Sequence, residues 1–196
     1  MNTITSALKN LTRRGQHNIQ KVVCLALGLA VSAVLITELN YEQTFDTWFP
    51  AWDRTYILQE RVMRSDQKSP SDYWQTSGAI APGMKRYAPI VEVATRTTNM
   101  ATKTQCHLDA EHSIVADVIA ADTSFFEMFP RSILSGNAHE VLGKPHCCMV
   151  SSSVARMMGG DVMGKKFTMA DFGDIPFEVG GVFEDFPWGS SLHGTQ

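Results

Sequence analysis

No acidic residue precedes Glu38, and the 196-residue chain has only four cysteines, none of them in a C-x-x-C pair. So few cysteines exclude a disulfide-dense scaffold, and the missing pair excludes a zinc ribbon or a thioredoxin-like redox motif. There is no G-x-S-x-G elbow, so nothing marks an α/β-hydrolase nucleophile. Low-complexity tracts and internal repeats are missing too. Charged residues make up 19% of the chain and the formal net charge is −3, which leaves no basic excess for binding nucleic acid.

What the sequence does have is one long uncharged run, the sixteen residues Val22–Thr37. Lys9, Arg13, Arg14 and Lys21 lie ahead of it; Glu38, Glu42, Asp46 and Asp53 follow, with Arg54 the nearby base. Cytoplasmic flanks keep Lys and Arg, so the run predicts a membrane helix with its N-terminus inside the cell and everything after about residue 40 outside. A hydrocarbon core of about 30 Å needs about 20 helical residues at about 1.5 Å each. Ile19, Leu39 and Tyr41 supply the extra length, and Lys21 snorkels back to the headgroups, giving a span over 19–41.

The alternative for this segment is a cleaved signal with Val31-Ser32-Ala33 as its small-residue site, which would make the chain a secreted or membrane-anchored binding protein. The intact mass of the mature chain separates the two. The leader speaks for the anchor. Ile4, Ala7, Leu8 and Leu11 form one helical stripe with Lys9, Arg13 and Arg14 off it, so 1–18 reads as an amphipathic helix lying on membrane lipid. Within the span, Gly28-x-x-x-Ser32 with Ala26, Ala30 and Ala33 makes a small-residue face suited to packing against partner helices.

The remainder, 42–196, is long enough for one domain with a real core, or for two small lobes. Tyr41–Trp52 is aromatic-rich, where the chain leaves the bilayer. Thr55–Met63 alternates, with Tyr56, Leu58 and Val62 on one face, and predicts a half-buried strand. A helix is expected at Ala81–Tyr87 with Pro82 in its first turn, then a β-branched strand at Ile90–Thr97. Gln105–Leu108 and Ser113–Ala120 read as a hairpin around Asp109-Ala110-Glu111. Asp122-Thr123-Ser124 offers caps for a short helix carrying Phe125, Phe126 and Phe129, whose spacing is that of core packing. Ser135-Gly136-Asn137 and Lys144-Pro145 are turns, and Cys147–Ser151 is a strand with its adjacent cysteines on opposite faces. Ser152 or Ser153 caps a helix through Met158 that Gly159-Gly160 stops. Lys166–Met169 and Phe177–Phe183 pair across Asp171–Asp174. Strands alternating with short helices give a mixed α/β (α+β) domain behind a single membrane helix.

Two near-motifs fail on context. Gly159 to Lys166 almost spells a P-loop, yet Lys166 stands where the magnesium-holding hydroxyl belongs, and a helix precedes it while a strand follows. Asp171-Phe172-Gly173 has no accompanying kinase segments and reads as a turn. The His and Cys residues of 106–148 match no zinc spacing, and the acids Asp109 and Glu111 suit a turn. A hydrolase or metalloprotein built on those residues ranks last, and the chain is expected to be no enzyme and to hold no cofactor or metal.

The order of the blocks resembles the FtsX/MacB-type ABC transporter permeases, most closely those with a MacB-like periplasmic core domain in Bacteroidetes-type bacteria. Ala7–Arg14 is similar to that family's leader and Leu27–Val31 to its first membrane helix. Glu42–Phe49 followed by Asp53–Tyr56 resembles its exit into the outer domain. Ala121–Phe129 with Leu134-Ser135-Gly136, then Gly164–Phe167 and Val179–Pro187, resemble its outer strands and helices. The resemblance implies a bacterial inner-membrane permease subunit, an outer domain that relatives continue beyond Gln196, and hence a fragment or truncated product. It also implies a separate cytoplasmic ABC ATPase, further permease helices in a dimer, and a stiff joint over Thr37–Asp53 centred on Asp46, Trp48, Phe49 and Pro50.

Overall fold

Leucines and alanines interleaved with β-branched residues, with neither proline nor an internal acid before Glu38, let a single helix, α1, run from Asn18 to Thr44. The structure is a computed structural model that describes residues 18–66, 68–109 and 111–193. At 27 residues α1 is about 40 Å long, and its Ile19–Thr44 stretch is long and apolar enough to cross a membrane. It runs three residues beyond the expected end at Tyr41. Glu42 and Gln43 are good helix formers, and the Thr44 hydroxyl donates back to the Asn40 carbonyl at 2.9 Å. The expected amphipathic leader lies outside the described residues apart from Asn18, which opens α1. The chain divides after Phe45 into two compact units.

The second unit is organised around β8 (Pro176–Phe183). One edge of β8 takes β6 (Cys147–Ser151) in parallel, from Cys147 opposite Glu178 to Ser151 opposite Phe183. On the other edge its first half pairs antiparallel with β7 (Lys166–Met169) and its last residues with β5 (Ile133–Ser135). Beyond β7, at Cys106 and His107, comes β3 (Thr97–His107), which forms a long hairpin with β4 (Ser113–Ala121). That hairpin and the β7–β8 pair are those expected from the sequence. Short helices join the strands: α2 (Ile80–Tyr87), α3 (Phe125–Met128), α4 (Ala138–Leu142) and α5 (Ser152–Met157).

The core forms two clusters, and β6 feeds both. Cys148 and Val150 pack with Val154, Met169 and Val179 on one side. Cys147 and Met149 pack with Phe125, Phe183 and Phe186 on the other. The adjacent cysteines therefore point to opposite faces as period-two geometry demands, both are half-buried, and the four cysteines are free thiols.

Several expectations give way to tertiary context. The Thr55–Met63 strand shrinks to β1 (Glu60–Val62), paired only with β2 (Ser71–Tyr73), and Tyr56 is 81% exposed. A two-stranded ribbon has no second layer against which to bury an alternating face. Ile90–Thr97 runs without a ladder partner until Thr97, and Ile90 is solvent-exposed. The cap of α5 is Ser151, whose side chain accepts from the Val154 amide, rather than Ser152 or Ser153. Helix α3 has no side-chain cap. Asp122 turns instead to Arg96, and the Ser124 hydroxyl donates to the Ala94 carbonyl at 2.8 Å. Asn137, expected only in a turn, caps the unforeseen α4 by accepting from the Glu140 amide.

Glycine identity matters most where β5, α4 and β8 meet. Gly136 has φ +81°, and a Cβ there would lie 2.3 Å from the Gly180 carbonyl oxygen. A Cβ on Gly180 would lie 2.7 Å from Val141 of α4. Bare backbone at these two positions is what lets the connection pack flat on the central strand.

Candidate functional site

Asp46 sits two residues past the end of α1 with φ +57°, a left-handed conformation that Asp tolerates better than most residues. Its amide donates to the Gly189 carbonyl at 2.7 Å, and its Oδ1 accepts from the Ser191 amide at 2.8 Å. The start of the outer unit is thereby pinned at two points to a segment far along the chain.

Trp48 and Phe49 continue the attachment with apolar contacts. The Trp48 ring meets Phe186 edge to face at 5.4 Å, and Phe49, only 6% exposed, meets Phe129 at 5.2 Å. Such pairs add about 0.5–1.5 kcal/mol each beyond burial. The Arg131 guanidinium lies over the Trp48 ring, 5.8 Å from its centroid. Pro50 follows in a turn that leads to a single 3-10 turn at Trp52–Arg54. Of the four predicted joint residues, three are thus fixed by named contacts, and Pro50 lies exposed beside them.

Sequence reasoning missed Arg131, Glu184 and Asp185. Arg131 Nη2 donates to the Asp185 carbonyl at 2.5 Å and its Nε to the Glu184 carbonyl at 3.3 Å. The Asp185 carboxylate accepts from the Ser153 amide at 2.9 Å and from the Ser153 hydroxyl at 3.0 Å, at the start of α5. Partial burial pushes the Asp185 carboxyl up, but the hydrogen bonds from Ser153, Ser152 and Ser151 outweigh it and hold the group below the usual carboxylate range. The run Glu184-Asp185-Phe186-Pro187 was the available signal: two acids and an aromatic directly after a strand.

On α1, the Ser32 hydroxyl donates to the Gly28 carbonyl at 2.8 Å, and a Cβ on Gly28 would meet nothing within 4 Å. The serine thus satisfies itself on its own helix, and the small-residue face is sterically open.

Among the described residues no three His, Cys, Asp or Glu side chains group as metal ligands. A cleft of about 470 Å³ lined by residues of β4, β6 and the short helices is walled by apolar side chains and thiols, with His146 its one further titratable group. Burial, helped by neighbouring Cys147 and Cys106, pushes the Cys148 thiol up to about 12, so it is no nucleophile. The Asp109 carboxylate accepts from the Glu111 and His112 amides in the hairpin turn, which gives Asp109 a structural role there. In the near P-loop, Lys165 Nζ donates to the Met158 carbonyl at the C-terminal end of α5. Carbonyls at a helix C-terminus repel phosphate.

The model of the MacB-like periplasmic core domain matches residues 22–195 of this chain. A solved domain ascribed to a permease protein of Porphyromonas gingivalis is 34% identical, with a TM-score of 0.61 over 69% of this chain and 57% of its own. The periplasmic region of MacB from Actinobacillus actinomycetemcomitans aligns at 14% identity and a TM-score of 0.46, over 72% of this chain and 58% of that one. The extracellular domain of the noncanonic ABC-type transporter YknZ from Gram-positive bacteria aligns at 15% identity and 0.43, over 56% and 58%. The chain thus spans well under two thirds of each of these solved domains. No curated protein matches it.

Proposed function

The chain belongs to the MacB-like periplasmic core domain family, and from that premise we propose that it is a non-catalytic membrane subunit of a bacterial ABC transporter. In this reading α1 crosses the inner membrane with its N-terminus in the cytoplasm, and the second unit stands in the periplasm. A separate cytoplasmic ATPase supplies the energy, and α1 relays its movement outward, for export or for mechanical signalling. Gly28 and Ser32 face other permease helices, including those of a second copy.

The observation that carries the reading is the clamp at Asp46. A relay requires that displacement of the anchor's end move the outer unit as a body. A flexible tether would absorb it, since a Gly/Ser chain has many conformations at similar free energy. Here the residues following α1 are held by two hydrogen bonds and two ring contacts instead. The basic flank before the uncharged run Val22–Thr37 and the acidic one after it support the orientation.

Replacing Asp46–Pro50 in the full-length protein with a Gly/Ser linker tests this directly. The expected result is loss of transport-coupled activity with the ATPase still bound, as judged by co-purification. Unchanged activity would sink the mechanical role.

A further inference from the structure

We propose that Arg131 is the positioning residue that carries displacement of the Asp46–Pro50 joint into the end of β8 and the start of α5. The proposal rests on the coupling reading above and names the group through which the joint would act.

The joint's polar clamp, Asp46 to Gly189 and Ser191, ends in a loop that contains no strand. Arg131 connects the same joint to the central strand. Its side chain is 18% exposed and engages four groups: the Trp48 ring at 5.8 Å, the carbonyls of Glu184 and Asp185, and the Glu184 carboxylate at 3.1 Å. Glu184 directly follows Phe183, the last residue of β8. It is further held by the Ser132 hydroxyl at 2.9 Å, and its amide donates to the Ser132 carbonyl at 2.9 Å. Asp185 then passes the connection on, because its carboxylate receives the Ser153 amide in the first turn of α5. Arg156 of the same helix lies 3.6 Å from the other carboxylate oxygen.

Geometry makes arginine the suitable residue. A guanidinium is a planar fork with donors in fixed directions, and its face stacks on an aromatic ring. Movement of Trp48 therefore tilts the fork, and the fork pulls on two successive carbonyls. Lysine has one compact ammonium on a flexible stem and cannot hold the ring and both carbonyls in one rigid arrangement. The direct Trp48–Phe186 contact is apolar and lets the rings slide, whereas hydrogen bonds resist displacement along their axes.

The test is a double-mutant cycle read by hydrogen exchange in the full chain, reconstituted in phosphatidylethanolamine/phosphatidylglycerol nanodiscs. Asp46→Ala is expected to accelerate exchange across Ser152–Met157 about fivefold or more, and to add nothing further in an Arg131→Met background. Arg131→Lys should behave as Arg131→Met does, although it keeps the charge. Additive effects of Asp46→Ala and Arg131→Met, or full rescue by lysine, overturn the proposal. Protection of the β3–β4 hairpin reports whether the fold is intact. If Arg131→Met loses it, Trp48→Leu takes its place in the cycle, since it removes the ring and leaves the carbonyl contacts of Arg131 alone. Non-additivity is expected there too, and additivity again overturns the proposal. The measurement needs no ATPase, so its outcome is distinguishable from that of the linker replacement.

Discussion

Ser191 donates its amide to Asp46 Oδ1 at 2.8 Å across 145 residues of sequence. Asp46 also gives its own amide to Gly189, so one residue in a left-handed conformation makes two hydrogen bonds to the same distant segment.

Asp46→Ala should therefore lower the stability of the outer unit by about 1–2 kcal/mol, from a lost hydrogen bond and a strained backbone. Asp46→Asn keeps the acceptor and the tolerance for positive φ, and should stay within about 0.5 kcal/mol of the parent. Thermal unfolding of the reconstituted chain distinguishes these outcomes. Equal effects of the two substitutions would show that the side-chain oxygen contributes nothing.

Gly180→Ala would drive a methyl group to 2.7 Å from Val141 and is expected to destabilise by about 1–3 kcal/mol. Val141→Ala removes the obstructing methyls, so the double variant should be more stable than the sum of the single effects implies. Urea midpoints of the four proteins close the cycle. Simple additivity would mean that α4 shifts away from β8 without resistance.

Acid should loosen the link between β8 and α5. The Asp185 carboxyl is held below its ordinary value in the folded chain, so its hydrogen bonds contribute stability that is complete above the unfolded pKa of about 3.9. That contribution is lost as pH falls through the folded value, because the unfolded chain then binds the proton more readily. Urea midpoints measured from pH 6 down to about pH 2 should fall less steeply for Asp185→Asn than for the parent. Parallel curves would exclude Asp185 as a source of acid sensitivity.

Thiol chemistry offers an independent check on β6. With its thiol pushed up to about 12, Cys148 is almost wholly protonated at pH 8. Iodoacetamide at that pH should leave it unmodified in the folded chain and alkylate it after denaturation, as read by peptide mass. Rapid alkylation in the folded chain would mean that the strand opens locally.

The sequence by itself determined the parts whose signals are local. An uncharged run without proline predicts one continuous apolar helix, and α1, long and apolar enough to cross a membrane, is the outcome. The hairpin of β3 and β4, the strand Cys147–Ser151 and the pair β7–β8 follow from β-branched alternation and turn residues that act over a few positions. What only the tertiary structure decided is which partner each segment finds. Thr55–Met63 alternates like a buried strand but has no layer to cover it, and Ser151 rather than its neighbours meets the free amides of α5. Arg131 could not be singled out in advance, because its worth lies in Trp48, Glu184 and Asp185 converging on one guanidinium. Hydrogen bonds and ring contacts between residues so far apart in the chain depend on a position in space, and no local pattern encodes that position.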